Sequence, residues 1–213
     1  MKKAIIFDLD GTLLNTSEGV KNSIRYVADY MNLPQLEDND LDTFIGPPIY
    51  ESLKKWYDLD ESNVKSATEL FRDIYSTKFL FQATVYEDIP EVLSYLKARG
   101  YLLGIATNKR YDYVNPLLEK FNLLSYFNEV QGTDFGNTLK KPDVICNCLK
   151  NMRIEDGDYA CMIGDTLQDY NGATDIGIDF LGVCYGFGFS CESHNNHDIR
   201  LVETVNEIKR VFS

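Results

Sequence analysis

Two aspartates two residues apart end a short apolar run near the N-terminus, in Phe7-Asp8-Leu9-Asp10-Gly11-Thr12. Carboxylates so placed at a strand end reach one point beyond a sheet edge, and like charges that close repel unless a cation sits between them. Magnesium suits such a pair, because it prefers hard oxygen ligands. The same residues also read as a solvated acidic turn in which Gly11 supplies backbone freedom. A second acidic pair, Asp165 and Asp169, lies in Gly164-Asp165-Thr166-Leu167-Gln168-Asp169, after another apolar run. Taken alone it reads as a helix start, with Asp165 as N-cap. Thr107-Asn108-Lys109 ends a third apolar run. Its hydroxyl and amide could hold an anionic oxygen, or form an ordinary turn. In Lys140-Lys141-Pro142-Asp143, Pro142 fits the first helical position and leaves Lys141 at the helix entrance, where a cation opposes the helix dipole. That placement suits a fixed counter-charge for a phosphate; the bland alternative is a solvent-exposed lysine pair.

These four segments need elements to bring them together. Residues 3–7, 101–106, 159–163 and 180–184 are apolar runs of strand length, with a weaker candidate at 128–131. Helical spacing fits between them: Val92, Leu93 and Leu96, with Gly100 as a C-terminal stop; Val114, Leu117, Leu118 and Phe121; Val144, Ile145, Cys148, Leu149 and Met152. Val202, Val205, Ile208 and Val211 predict a closing helix. Alternating apolar strands and helices imply a parallel sheet covered on both faces, an α/β, Rossmann-like core. The chemistry-bearing segments then all fall at strand ends, where open parallel sheets place their ligands.

Residues 15–82 break the alternation and read as helix throughout, interrupted at Gly46-Pro47-Pro48. Val20, Ile24, Val27 and Met31 form one stripe; Val64, Ala67, Phe71, Ile74 and Phe79 form another on a long helix. The expected organisation is a discontinuous core, residues 1–14 and 83–213, with an all-helical insert at 15–82. Within the insert, Phe44, Tyr50, Trp56 and Tyr57 could shape a substrate pocket, and the loop of Phe44, Ile45, Gly46, Pro47 and Pro48 is the leading specificity candidate. Packing inside the insert explains these residues equally well.

The chain has 213 residues, 44% of them hydrophobic, and a net charge of −12, which suits an ordinary globular protein and argues against nucleic acid as main partner. No stretch is apolar enough to predict a membrane span, and Asp8 interrupts any signal-peptide pattern. Cys146, Cys148, Cys161, Cys184 and Cys191 form no Cys-x-x-Cys pair, so reduced thiols and a cytoplasmic location are expected. Cys146 and Cys148 fall on opposite sides of a helix, and Cys191 reads as an exposed thiol. Tyr185-Gly186-Phe187-Gly188-Phe189 suits a loop at the sheet edge, either touching the site or packing its aromatics into the core. His194 and His197 are three apart in an Asn-rich stretch with no third ligand evident.

The motifs, their spacing and their order resemble the haloacid dehalogenase-like hydrolase superfamily over nearly the whole chain. FDLDGTLLNT is the most specific segment, followed in order by TNK, KKPD and GDTLQD. The insert is similar to the helical cap of the phosphoglycolate phosphatase and β-phosphoglucomutase group. This resemblance implies a Mg2+-dependent phosphatase of a small phosphorylated metabolite. Asp8 would be the nucleophile that forms an aspartyl-phosphate, and Asp10 the general acid and base. Gly11, Thr107, Asn108 and Lys141 would hold the phosphoryl group. Asp8, Asp165, Asp169 and the Asp10 carbonyl would hold the metal, with Asp169 either ligating it or orienting the water and the lysine.

Asn15 stands where phosphoglycolate phosphatases usually carry Asp, so the substrate stays open among phosphoglycolate, nucleotides, sugar phosphates and pyrophosphate. A phosphoglucomutase-like isomerase is the alternative, although Gly164-Asp165 resembles the phosphatases and mutases tend to carry Glu-Asp there. Asp10 and Asp165 argue against a dehalogenase. A non-catalytic binding protein would be expected to lack motif residues that are all present. A monomer is the default expectation.

Overall fold

The computed structural model describes residues 3–136, 138–155, 159–191 and 199–213. The chain divides into two compact units, one of residues 1–15 and 85–213 and the other of residues 16–84. His194 and His197 lie outside the described residues.

The first unit is built on six parallel strands: β1 (Ala4–Phe7), β4 (Leu102–Arg110), β5 (Glu129–Thr133), β6 (Ala160–Gly164), β7 (Asp179–Val183) and β8 (Leu201–Val202), in the spatial order β5-β4-β1-β6-β7-β8. Two further two-residue strands, β2 (Leu14–Asn15) and β3 (Thr84–Val85), pair separately. Four helices, α5 (Ile89–Ala98), α6 (Tyr111–Lys120), α7 (Lys141–Asn151) and α8 (Leu167–Asp175), connect the sheet strands, and α9 (Val205–Val211) closes the chain. Because β1 is covered on both faces, all four of its residues are buried and apolar, as a central parallel strand requires. Its register puts Phe7 beside Ile105 of β4 and Ile163 of β6; β6 ends one residue later at Gly164, while β4 runs on to Arg110. Strand order reverses at β1, from β4 on one side to β6 on the other, and such reversals open ligand crevices in α/β sheets.

Three predicted elements differ. Val202 is a strand residue in β8, and the closing helix begins at Val205. The apolar run at 101–106 continues through the polar Thr107-Asn108-Lys109 segment, so that segment is strand and not turn. Lys141 is already the first helical residue of α7, with Lys140 as N-cap and Pro142 in the first turn.

Residues 16–84 are helical: α1 (Ser17–Met31), α2 (Asp38–Asp42), α3 (Ile49–Tyr57) and α4 (Glu61–Ile74). α4 starts where the Asp60 carboxylate accepts the Asn63 backbone N–H at 2.8 Å, an N-cap bond. The long helix expected to reach Phe79 instead widens into a π-helical turn over Tyr75–Phe79. Inside this unit, Val20, Ile24 and Val27 of α1 and Val64, Ala67 and Phe71 of α4 are buried. Phe44 and Ile45 are buried too, and Phe44 stacks on Trp56 at 6.4 Å. Trp56 donates its indole N–H to Thr43 Oγ1 at 2.9 Å, so this aromatic group is part of the unit's own packing.

Candidate active site

Three carboxylates, Asp8, Asp165 and Asp169, converge beyond the ends of β1 and β6, each offering an oxygen within 4.8 Å of the others. All three are buried, Asp165 completely. Lys141 enters the cluster from the first turn of α7, its Nζ 2.6 Å from Asp8 Oδ1 and 2.5 Å from Asp169 Oδ1. A cation at a helix N-terminus opposes the dipole, and these two anions offset that cost. The Asp169 carboxylate is fixed from its other side. Its Oδ2 accepts the Thr166 N–H at 3.0 Å and the Thr166 hydroxyl at 2.7 Å, which makes Thr166, not Asp165, the N-cap of α8.

Burial of so much charge shows in the acidities. Burial pushes Asp8 up to about 7 despite the attraction of Lys141, and the charge of Asp169 adds to the rise. Burial, then the charges of Asp169 and Asp8, push Asp165 up to about 8. For Lys141, burial pulls downward, but Asp169 and Asp8 outweigh it and hold the ammonium above the ordinary lysine range. One lysine among three buried carboxylates leaves surplus negative charge, which a divalent cation bound to hard oxygen donors would neutralise. The donor set therefore fits Mg2+.

Asp10 sits outside this triad. Lys109 Nζ donates to both of its side-chain oxygens, at 3.1 and 3.0 Å. Thr107 is buried, and its Oγ1 accepts the N–H of Lys109, two residues on, at 3.2 Å. Asn108 donates its amide to Gln168 Oε1 at 2.7 Å, which joins β4 to α8 across the site. Gly11 has φ +79°, and a Cβ there would lie 2.1 Å from Asp165 Oδ2, so the turn after β1 requires glycine.

The structure thus brings Asp8, Lys141, Asp165 and Asp169 into one cluster. Asp10, Gly11, Thr107 and Asn108 stand at the ends of the same strands, Asp10 and Asn108 each in a further pair. Sequence reasoning gave no role to Lys109, Gln168 or Thr12, whose hydroxyl lies 3.4 Å from Asp165 Oδ1. Lys109 directly follows the Thr107-Asn108 pair at the end of the same apolar run, and that adjacency is the signal that could have found it. The loop after β7 does touch the site, through the Phe187 N–H to Asp165 Oδ2 at 2.7 Å. The thiol expectation is corrected: Cys184 and Cys191 form a disulfide, while Cys146, Cys148 and Cys161 are free. The loop between the two cysteines folds back until their Cα atoms are 5.7 Å apart, which residue spacing alone does not reveal.

The sequence model of the haloacid dehalogenase-like hydrolase family matches residues 5–183. This chain belongs to that family. It is 29% identical to a 5'-nucleotidase of Pseudomonas aeruginosa over 86% of its own length and 83% of the relative's. It is 31% identical to the pyrophosphatase PpaX of Bacillus velezensis, over 85% and 83%. The crystal structure of a predicted phosphatase from Clostridium acetobutylicum superposes with a TM-score of 0.91 at 33% identity, covering 100% of this chain and 99% of that one. The family member is accordingly a phosphatase, a phosphoric monoester hydrolase. Among the described residues, no helix is long and apolar enough to cross a membrane.

Proposed function

We propose that this phosphatase hydrolyses a small phosphorylated metabolite by Mg2+-dependent transfer of the phosphoryl group to Asp8. The observation that carries this reading is Lys141, buried at a helix start and bridging Asp8 and Asp169 inside an acidic triad. Asp8 Oδ1 is close to a fixed cation, and the other oxygen of the same carboxylate is the nucleophile. Asp10, oriented by Lys109, protonates the leaving oxygen and then takes a proton from the water that cleaves the aspartyl-phosphate. Thr107, Asn108, the backbone at Gly11 and the Lys141 ammonium hold the phosphoryl oxygens and stabilise their charge in the transition state. Asp8, Asp165, Asp169 and the Asp10 carbonyl would hold Mg2+, which when bound offsets the repulsion between the Asp8 carboxylate and the anionic substrate.

Phosphate release from nucleoside monophosphates, pyrophosphate, phosphoglycolate and sugar phosphates, with and without Mg2+, tests the reading. The expected result is one preferred substrate and no release after chelation. Release undiminished without metal would refute the metal centre. A glucose phosphate isomerised without phosphate release would assign mutase chemistry instead.

A further inference from the structure

The loop at residues 185–190 lies against the acid cluster along most of its length. Beyond the Phe187 N–H on Asp165 Oδ2, the Phe189 N–H donates to the Asp165 backbone carbonyl at 2.8 Å. The Tyr185 hydroxyl donates to the Thr12 carbonyl at 3.0 Å. At Gly186 the approach is so close that a Cβ would lie 2.3 Å from the Gly11 carbonyl oxygen and 2.4 Å from Asp165 Cβ. The loop therefore clasps the turn after β1 and the residue after β6 together. Its near end is fixed by the sheet, where the Cys184 N–H donates to the Val202 carbonyl at 2.9 Å. Its far end is tied back by the bond between Cys191 and Cys184.

Two facts give this closure a chemical consequence. Asp165 has two carboxylate oxygens, and the Phe187 N–H on one of them fixes the rotation of the other. Partners of this kind orient a ligating carboxylate and commonly change metal affinity by about 10- to 100-fold. A short loop held at both ends also has fewer conformations than one held at a single end, so the bridge favours the closed, hydrogen-bonded form. Both cysteines are half-buried, within reach of a small thiol.

We propose that the Cys184–Cys191 disulfide positions Asp165 for its cation through the Phe187 amide, so that thiol reduction weakens magnesium binding. The inference rests on the metal-centre reading above. In the switching step, a thiolate of a dithiol reductant attacks one cysteine sulfur and the S–S bond breaks, giving a mixed disulfide. The reductant's second thiol then displaces the remaining cysteine. The dithiol leaves as a disulfide, and its two electrons and two protons end on Cys184 and Cys191.

Calorimetric titration of the full chain with Mg2+, before and after dithiothreitol, reads the effect, beside the double variant C184S/C191S. Thiol counts in denaturant should be three before reduction and five after. Reduction should weaken Mg2+ binding about tenfold. The double variant should match the reduced protein and ignore the reductant. At saturating Mg2+, kcat should return to that of the oxidised protein, which places the change in metal binding; a general loss of structure would lower kcat as well. Equal affinities in the oxidised and reduced forms would overturn the proposal and leave the metal centre standing, as would five free thiols after air oxidation. Absence of Mg2+ binding in every form would overturn both.

Discussion

The two units bury polar groups in opposite ways. In residues 16–84 the buried polar side chains are hydroxyls, and two of them bond within their own helix: Ser23 to the Gly19 carbonyl and Thr68 to the Val64 carbonyl, both at 2.7 Å. No charged side chain is buried there. In the sheet unit, Asp8, Lys141, Asp165 and Asp169 are all buried at one edge and contact partners far away in sequence. Burying one ion costs several kcal/mol, and such pairs seldom improve stability over well-packed apolar residues. Charge burial confined to one sheet edge marks a place where chemistry, not stability, dictates the residues. The helical unit is instead held by its apolar faces.

Substitutions on either side sharpen this contrast, and the largest effect belongs to Asp8. Asp8→Asn should lower phosphate release about a thousandfold or more. Its metal-free unfolding midpoint in urea should not fall, because Asp169 still pairs with Lys141. A destabilised Asp8→Asn protein would make the residue structural. Lys141→Met should cost about 3–5 kcal/mol in metal-free protein, since it strands buried carboxylates. Mg2+ should restore part of that loss. Ile24→Ala, in the helical unit, should cost about 3 kcal/mol through a cavity and respond to Mg2+ no differently from the parent.

Acidity gives a third, smaller contrast. Asp8 and Asp165 have an ordinary value of 3.8, raised in the folded protein to about 7 and about 8. Between those limits the native state holds protons that the unfolded chain has released. Metal-free stability should therefore fall as pH rises from about 4 to about 8, most steeply where both carboxyls hold protons that the unfolded chain has released. Urea titrations across that range would show it, and Asp165→Asn should flatten the slope. The smallest effect is Asp60→Ala, which removes the α4 cap and should cost about 1 kcal/mol in urea unfolding, with no change in metal response.

Much of the site was legible because its residues sit at local sequence signals. Asp8, Thr107 and Asp165 each follow an apolar run of strand length, and Pro142 marks the start of α7. What escaped depends on contacts distant in sequence. Lys109 faces Asp10 only because β4 continues past its apolar stretch. Gln168 matters only where α8 meets β4. The Cys184–Cys191 bond reflects a loop path that an odd cysteine count and an assumed compartment cannot describe. β8 is two residues long, too short for alternation to separate it from the helical spacing that follows. In the helical unit, apolar periodicity found α1 and α4 but could not distinguish a pocket wall from packing at Phe44 and Ile45.

The central claim is that Asp8 accepts the phosphoryl group. Its most direct test is mass spectrometry of Asp10→Asn protein, quenched in acid during turnover of the preferred substrate with Mg2+ present. Without Asp10 both the transfer to Asp8 and the water attack slow, so the aspartyl-phosphate should form slowly and accumulate. The account predicts one phosphoryl group per chain, on the peptide that carries Asp8, absent when Mg2+ is omitted. A phosphoryl group on another residue, or a protein that releases phosphate without ever carrying one, would contradict it.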